Sequence, residues 1–240
     1  MAGFKTHIGT STVLGVGYGT VGYLYGMPLS SAVVAGGLCS VSGMLPDLDS
    51  DNGVPVREMF SFGAAIVPML MVDRFERLGW THEMIVLATG VLYVMIRFGV
   101  AELFKRYTVH RGMWHSIPAA VLASLLALLV CSCHHQSVQL YKAGAVFLGF
   151  ISHLVLDEIW SISLKGGRLR IKKSFGTALK FWSPNSTWAN ISCYGKLAIV
   201  AFLAYHDPAM MKQYQHQDHI PHTATQVIND LTQPQDPLLR

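Results

Sequence analysis

Charged residues are scarce in this chain: Asp, Glu, Lys and Arg make up 13% of its 240 residues, whereas hydrophobic residues make up 51%. Soluble domains carry about 25% charged residues, so this composition argues against a large soluble core and favours a membrane protein. Cysteine is scarce too, with four residues and no CxxC spacing, which argues against a zinc ribbon or a disulfide framework. The cysteines lie in or beside apolar runs, where we expect small buried side chains.

Apolar runs separated by short polar stretches predict an all-α fold. The runs cover residues 9–26, 29–45, 59–72, 84–104, 116–133, 142–160 and 188–205. Because a chain in lipid must satisfy its own backbone groups, we predict a polytopic membrane bundle of about six or seven helices. Runs shorter than the ~20 residues that cross a bilayer are expected to be tilted, re-entrant or covered by protein. The membrane domain is predicted to comprise residues 1–206, followed by a polar, disordered tail at 207–240.

Glycine recurs in the first apolar run at the small-xxx-small spacing that lets membrane helices approach closely. The residues concerned are Gly15, Gly19, Gly22 and Gly26. The first run is therefore predicted to pack tightly against another helix.

Lysine and arginine are distributed unequally between the two ends of the predicted helices. Threading the chain through its spans leaves Arg74, Arg77 and Lys142 on one side. The other side carries eleven: Lys5, Arg57, Lys105, Arg106, Arg111, Lys165, Arg168, Arg170, Lys172, Lys173 and Lys180. By the positive-inside rule, the side with eleven charges is predicted to be cytoplasmic.

Histidine and aspartate residues gather at the same predicted face. His153 and Asp157 are four residues apart, so a helix presents them on one side, one turn from each other. The threading brings seven such residues to the cytoplasmic face: His7, Asp47, Asp49, His110, His115, His153 and Asp157. Independent polar residues would be scattered between both faces, so we interpret the seven as a site for one or two divalent metal ions. The alternative is a set of polar pairs that hold helices together.

The histidine and aspartate ligands indicate which metal ions and which reaction to expect. Mixed nitrogen and oxygen ligands suit Zn²⁺, with Mn²⁺ or Fe²⁺ as alternatives. A bound ion would activate a water molecule to attack an ester or phosphoester at neutral pH. Asp49 and Arg111 are the candidate catalytic residues, and the planar Arg111 guanidinium could hold an anionic substrate. We expect His110 in the loop before a helix and His115 in the first turn of that helix.

The acidic segment after the second run permits a second interpretation. Asp47, Asp49, Asp51 and Glu58 occupy positions 1, 3, 5 and 12 of a calcium-binding loop. However, Asn52 stands where such a loop needs glycine, so the calcium loop is the weaker prediction.

Four segments together resemble a known family: His7 near the amino terminus, LPDLD at 45–49, HRGMWHS at 110–116 and SHLVLD at 152–157. In this order between apolar runs, they are similar to the YdjM-type inner-membrane metal-dependent hydrolases over about residues 1–160. The resemblance implies a bacterial inner-membrane hydrolase. The His153–Asp157 step is also similar to the helix-borne ligands of zinc-dependent phospholipase C and P1 nuclease, which favours phosphoester chemistry.

Two classes of function follow. The first is a membrane-bound hydrolase whose metal site faces the cytoplasm, with membrane lipids as partners and a phosphoester, including a lipid, as candidate substrate. The second is a transporter or metal-handling protein, because ionisable groups in membrane helices often mark ion paths. The basic stretch 165–173 is either an orienting loop or a site for anionic lipid headgroups. No aromatic residue interleaves it, so nucleic acid is not an expected partner.

Overall fold

The computed structural model describes residues 3–49, 54–100, 102, 113–131, 133, 135–165, 168–171, 176, 179–184 and 186–207. The side chains of residues 49, 54–58, 162–165 and 168–171 lie outside this description, as does the predicted tail after residue 207. Within it, the α-helices are α1 (Phe4–Leu24), α2 (Leu29–Ser42), α3 (Val54–Leu70), α4 (Val72–Arg77), α5 (His82–Val94), α6 (Ile117–Val130), α7 (Gln136–Ile159) and α8 (Thr187–Tyr205). A 3-10 helix (Leu45–Asp49) follows α2, and a π-helical segment (Met95–Val100) extends α5. The predicted all-α class is confirmed, and the description contains eight α-helices where about six or seven were predicted.

Among the residues that the structure describes, three helical stretches are long and apolar enough to cross a membrane. They are His82–Val100, Gln136–Ile159 and Thr187–Tyr205. Two further helices, α2 and α6, are apolar but shorter. Shortened helices were expected from the lengths of the apolar runs.

Two local elements differ from the sequence prediction. The charged stretch 73–83 lies between two of the predicted helices, but α4 occupies its first half. The basic stretch was expected to be a loop, but it contains two antiparallel strands, β1 (Ile162–Lys165) and β2 (Arg168–Ile171), paired from Ile162 with Ile171 to Lys165 with Arg168. The signal was present, because apolar and polar residues alternate on either side of a Gly-Gly pair.

Polar caps and glycines set the ends of several helices. The side chains of Thr81, Ser116 and Ser186 accept hydrogen bonds from backbone amides at the starts of α5, α6 and α8. Gly26 and Gly79 follow α1 and α4 with φ of 87° and 78°, a conformation that favours glycine. The side-chain caps therefore mark the residues at which α5, α6 and α8 begin.

Close backbone contact joins α1 to α2. A Cβ on Gly36 would lie 2.7 Å from the Gly15 carbonyl oxygen, and a Cβ on Gly19 would lie 2.8 Å from the Ala32 carbonyl oxygen. Only glycine fits at such approaches, so the small-residue prediction is confirmed at Gly15 and Gly19. Gly22 instead packs against Tyr141 of α7, and Gly26 lies in the turn after α1.

Helix α7 lies at the centre of the bundle, in contact with α1, α2 and α6. Its buried side chains form a core cluster with α6: Ala119, Ala120, Ala123, Val146, Phe150 and Leu154. Gly149 lets α7 approach the last turn of α2, because a Cβ there would overlap the Cys39 carbonyl and the Ser42 hydroxyl. The helix that carries His153 and Asp157 is thus fixed on several sides.

Candidate metal centre

His153 and Asp157 lie in the last two turns of α7 and are both buried. His153 Nε2 lies 3.7 Å from Asp157 Oδ2, as their four-residue spacing predicts. His153 Nε2 and Asp157 Oδ1 are buried atoms that have no hydrogen-bond partner among the described residues. Such orphaned polar atoms are costly in an apolar setting, which indicates that a further group belongs between them.

The orientation of the His153 ring is set by α2. His153 Nδ1 donates a hydrogen bond of 2.7 Å to the carbonyl oxygen of Gly43, the residue that ends α2. A carbonyl can only accept, so Nδ1 carries the hydrogen and Nε2 presents its lone pair to the cluster. Histidine ligands of metals are commonly held in this way, with the second nitrogen bound to a carbonyl or carboxylate.

His7 reaches the cluster from the first turn of α1. Its ring stacks on that of His153, with centroids 3.7 Å apart and planes inclined by 13°. His7 Nε2 lies 3.4 Å from Asp157 Oδ1. These two contacts bring the first turn of α1 against the carboxyl end of α7.

Asp47 enters on the 3-10 helix that continues α2. Its Oδ1 lies 3.5 Å from His153 Nε2 and 3.9 Å from His115 Nε2. The indole nitrogen of Trp114 donates a hydrogen bond of 2.7 Å to the Leu45 carbonyl, which fixes this short helix. The Asp47 side chain is 33% exposed, whereas those of His7, His153 and Asp157 are nearly inaccessible, so the cluster opens on the Asp47 side.

His115 completes the cluster from the segment before α6. Its ring meets that of His153 edge to face, with centroids 5.8 Å apart. The prediction that His115 lies in the first turn of a helix is wrong by two residues, because Ser116 is the N-cap and α6 begins at Ile117. Ser116 both donates to the Met113 carbonyl and accepts from the Ala119 amide, and this holds the backbone beside His115.

The spacing of the donor atoms fits a cation. His7, Asp47 and His153 offer ligand atoms that all lie within 4.8 Å of one another, and so do His115, His153 and Asp157. The nitrogen–oxygen separations of 3.4–3.9 Å exceed the usual hydrogen-bond range of about 2.7–3.2 Å. Zinc bonds of about 2.0–2.1 Å place the corners of a tetrahedron about 3.3–3.4 Å apart. The cluster can therefore accept a metal ion with small adjustments.

Five of the seven predicted ligands are thus brought together: His7, Asp47, His115, His153 and Asp157. The side chain of Asp49, together with His110 and Arg111, lies outside the described residues. The calcium-loop interpretation stays a prediction, because residues 50–53 and the side chains of 49 and 54–58 lie outside the described residues. Its first position, Asp47, faces His153 and His115 instead.

Two supporting groups were not predicted from the sequence. The Gly43 carbonyl orients His153, and the Trp114 indole anchors the helix that carries Asp47. Trp114 lies inside the HRGMWHS segment, directly before His115, so its position offered a signal. The Gly43 carbonyl gave no sequence signal, because every residue has a backbone carbonyl.

The fold and the cluster define a class: a helical protein with membrane-length apolar helices and a buried histidine–aspartate centre at one end of the bundle. A family model described as YdjM inner membrane protein matches residues 1–191, and the chain belongs to that family. The match confirms the resemblance found in the four segments and extends beyond them into α8. No curated protein and no solved structure matches the chain, so the likeness to zinc-dependent phospholipase C and P1 nuclease stays a prediction.

Proposed function

We propose that this protein is a multi-pass inner-membrane hydrolase that cleaves a phosphoester with the help of a divalent metal ion, in first place Zn²⁺. The observation that carries the proposal is the buried donor set around His153, whose Nε2 has no hydrogen bond among the described residues yet faces two carboxylates. A purely structural histidine–aspartate pair would be expected to close to hydrogen-bonding distance. Mn²⁺ and Fe²⁺ remain alternatives, because nitrogen and oxygen ligands accept all three.

The donors that the structure describes support one ion. Among them, both candidate ligand groups include His153. Because His153 Nδ1 is engaged by the Gly43 carbonyl, only Nε2 can serve as a ligand. A second ion would need its own set without His153, so we assign His7, Asp47, His115 and Asp157 to the surroundings of a single ion.

When bound, a divalent ion supplies Lewis acidity and a water molecule that ionises near neutral pH. In hydrolysis the water oxygen forms a bond to phosphorus, the bond from phosphorus to the leaving oxygen breaks, and the water's proton ends on the leaving oxygen. Asp47 is the exposed carboxylate of the cluster and is therefore assigned to carry that proton. Asp49 and Arg111 keep their predicted catalytic roles as part of this proposal.

A carrier or metal-handling protein is the competing proposal. A carrier needs its ionisable groups near the bilayer midplane, reachable from both sides. Here the donors lie in the first turn of α1, after α2, before α6 and at the end of α7. Four helix ends meeting at one face favour the enzyme. By the lysine and arginine distribution, we place that face in the cytoplasm.

Hydrolysis of a chromogenic phosphodiester and of phospholipids by purified, metal-loaded protein tests the proposal. His153→Ala should lower the rate at least about 100-fold, and His7→Gln provides a second ligand variant of similar volume. His135→Ala is the matched control, since His135 is exposed at the other end of α7. Thermal unfolding shows that the variants are folded. Equal rates for the wild type and both ligand variants would refute the hydrolase.

A further inference from the structure

Exposed aromatic side chains mark both ends of α8. Trp188 near its start is 77% exposed, and Tyr205 at its end is 76% exposed. They are 17 residues apart in one helix, or about 26 Å at 1.5 Å per residue. The surface between them exposes apolar side chains such as Ile191, Ile199 and Leu203. A hydrocarbon layer about 30 Å thick with aromatic residues at each boundary has this pattern.

Helix α1 also has exposed aromatic side chains near both of its ends. Phe4 at its start and Tyr23 near its end are exposed and lie 19 residues apart, or about 29 Å. Tyr25, just after the helix, is also exposed. At the carboxyl end of α7, beside the start of α1, Trp160 is 43% exposed. Exposed aromatic residues therefore lie near both ends of α1 and of α8, at spacings of about 29 Å and about 26 Å.

The loop before α8 is held so that its rings face outward. Asn190, which is buried, accepts from the Ser183 amide and donates to the Ser183 carbonyl, at 2.9 and 2.8 Å. The Tyr194 hydroxyl donates to the Phe181 carbonyl at 2.7 Å. Phe181 and Trp182 nevertheless expose more than half of their surface. Since the loop is fixed by hydrogen bonds, its aromatic side chains are not excess core residues but are presented to the surroundings.

The metal centre lies at the level of one aromatic belt. The Ile117 amide donates to the Lys180 carbonyl, so the aromatic loop adjoins the start of α6, two residues after His115. His7 follows Phe4 by three residues, and Asp157 precedes Trp160 by three. Three helical residues rise about 4.5 Å, so the donors lie within one turn of the belt. Tryptophan belts lie at the lipid headgroup level, where the phosphoester groups of membrane lipids are found.

We infer that the substrate of the centre is a phosphoester of a membrane lipid, held at the headgroup level of one leaflet by the belt formed by Phe4, Trp160, Phe181, Trp182 and Trp188. This inference rests on the proposed hydrolase. The apolar surface between the belts fits acyl chains, and the cluster opens at the partly exposed Asp47. On this inference, a lipid reaches the centre without leaving the bilayer.

The belt is tested by fluorescence in vesicles. Wild-type protein and Trp188→Phe are compared in lipids brominated near the headgroup end or near the methyl end of the acyl chains. The fluorescence of Trp188 is the wild-type signal minus that of Trp188→Phe. It should be quenched by the lipid brominated near the headgroup and much less by the lipid brominated near the methyl end. Quenching mainly by methyl-end bromines, or by neither lipid, would overturn the belt.

The substrate class is tested with one phosphodiester in two forms, as a long-chain phospholipid in the bilayer and as its water-soluble headgroup ester. The lipid should be cleaved at least about tenfold faster by the metal-loaded wild type. Faster or equal cleavage of the soluble ester would overturn the lipid inference and leave the hydrolase standing. Cleavage of neither ester by metal-loaded protein would overturn both.

Discussion

Replacing Gly149 by alanine tests whether helix packing sets the geometry of the metal centre. Gly149 lies on α7, one turn before His153, where α7 meets the last turn of α2. An added Cβ would overlap the Cys39 carbonyl and the Ser42 hydroxyl. A backbone carbonyl cannot move alone, so α2 and α7 must separate locally. Gly43, which directly follows α2, supplies the carbonyl that orients His153.

The expected magnitude has two components. Overpacking of a close helix contact costs about 1–3 kcal/mol of unfolding free energy. A separation of about 1 Å would also stretch the hydrogen bond from His153 to the Gly43 carbonyl beyond its working range, because it is 2.7 Å long in the intact protein. Losing the second partner of a metal-bound histidine lowers metal affinity about 10–100-fold. Gly149→Ala should therefore lose both stability and metal affinity.

The assay combines thermal unfolding without metal with titration of the apoprotein with Zn²⁺. Gly37→Ala is the matched control, since Gly37 lies on the exposed side of α2 and an added Cβ there meets nothing within 4 Å. The control should keep its affinity and gain up to about 1 kcal/mol from helix propensity. If Gly149→Ala behaves like the control, the packing of α2 on α7 does not set the His153 geometry.

Three further variants separate the site from the scaffold. Trp114→Phe removes the hydrogen bond to Leu45 and should lower zinc affinity about tenfold in titration, with little change in unfolding; an unchanged affinity would show that the bond does not position the 3-10 helix. Arg74→Met removes the 2.5 Å ion pair with the buried Asp207 at the other end of the bundle, so unfolding free energy should fall about 1–3 kcal/mol while zinc affinity is kept; a loss of zinc affinity would contradict the separation. Asn190→Ala breaks both bonds to the loop before α8 and should make that loop more sensitive to proteolysis; unchanged cleavage would contradict the fixed loop.

Much of the site could be predicted because consecutive membrane spans begin and end at alternating faces of the membrane. Once apolar runs alternate between two faces, His7, Asp47, His115 and Asp157 must arrive at the same one. The structure places these residues together with His153. The same reasoning located the helices, since a run long enough for a bilayer leaves few alternatives to a helix.

The parts that escaped prediction depend on contacts rather than on pattern. The Gly43 carbonyl is a backbone group, and its selection by His153 follows from the distance between α2 and α7, which Gly149 sets. The bond from Trp114 to Leu45 joins residues 69 positions apart, beyond the reach of any local motif. The strand pair at 162–165 and 168–171 escaped prediction for another reason: its alternation of apolar and polar residues coincides with a basic composition that is equally typical of a loop.

Metal content measures the central claim most directly. Protein equilibrated with Zn²⁺, freed of excess ion by gel filtration and analysed by elemental mass spectrometry should hold about one ion per chain. His153→Ala should lose it, and His135→Ala, changed at the exposed far end of the same helix, should keep it. Wild-type protein without stoichiometric metal, or His153→Ala with the same content as the wild type, would contradict a metal centre at His153.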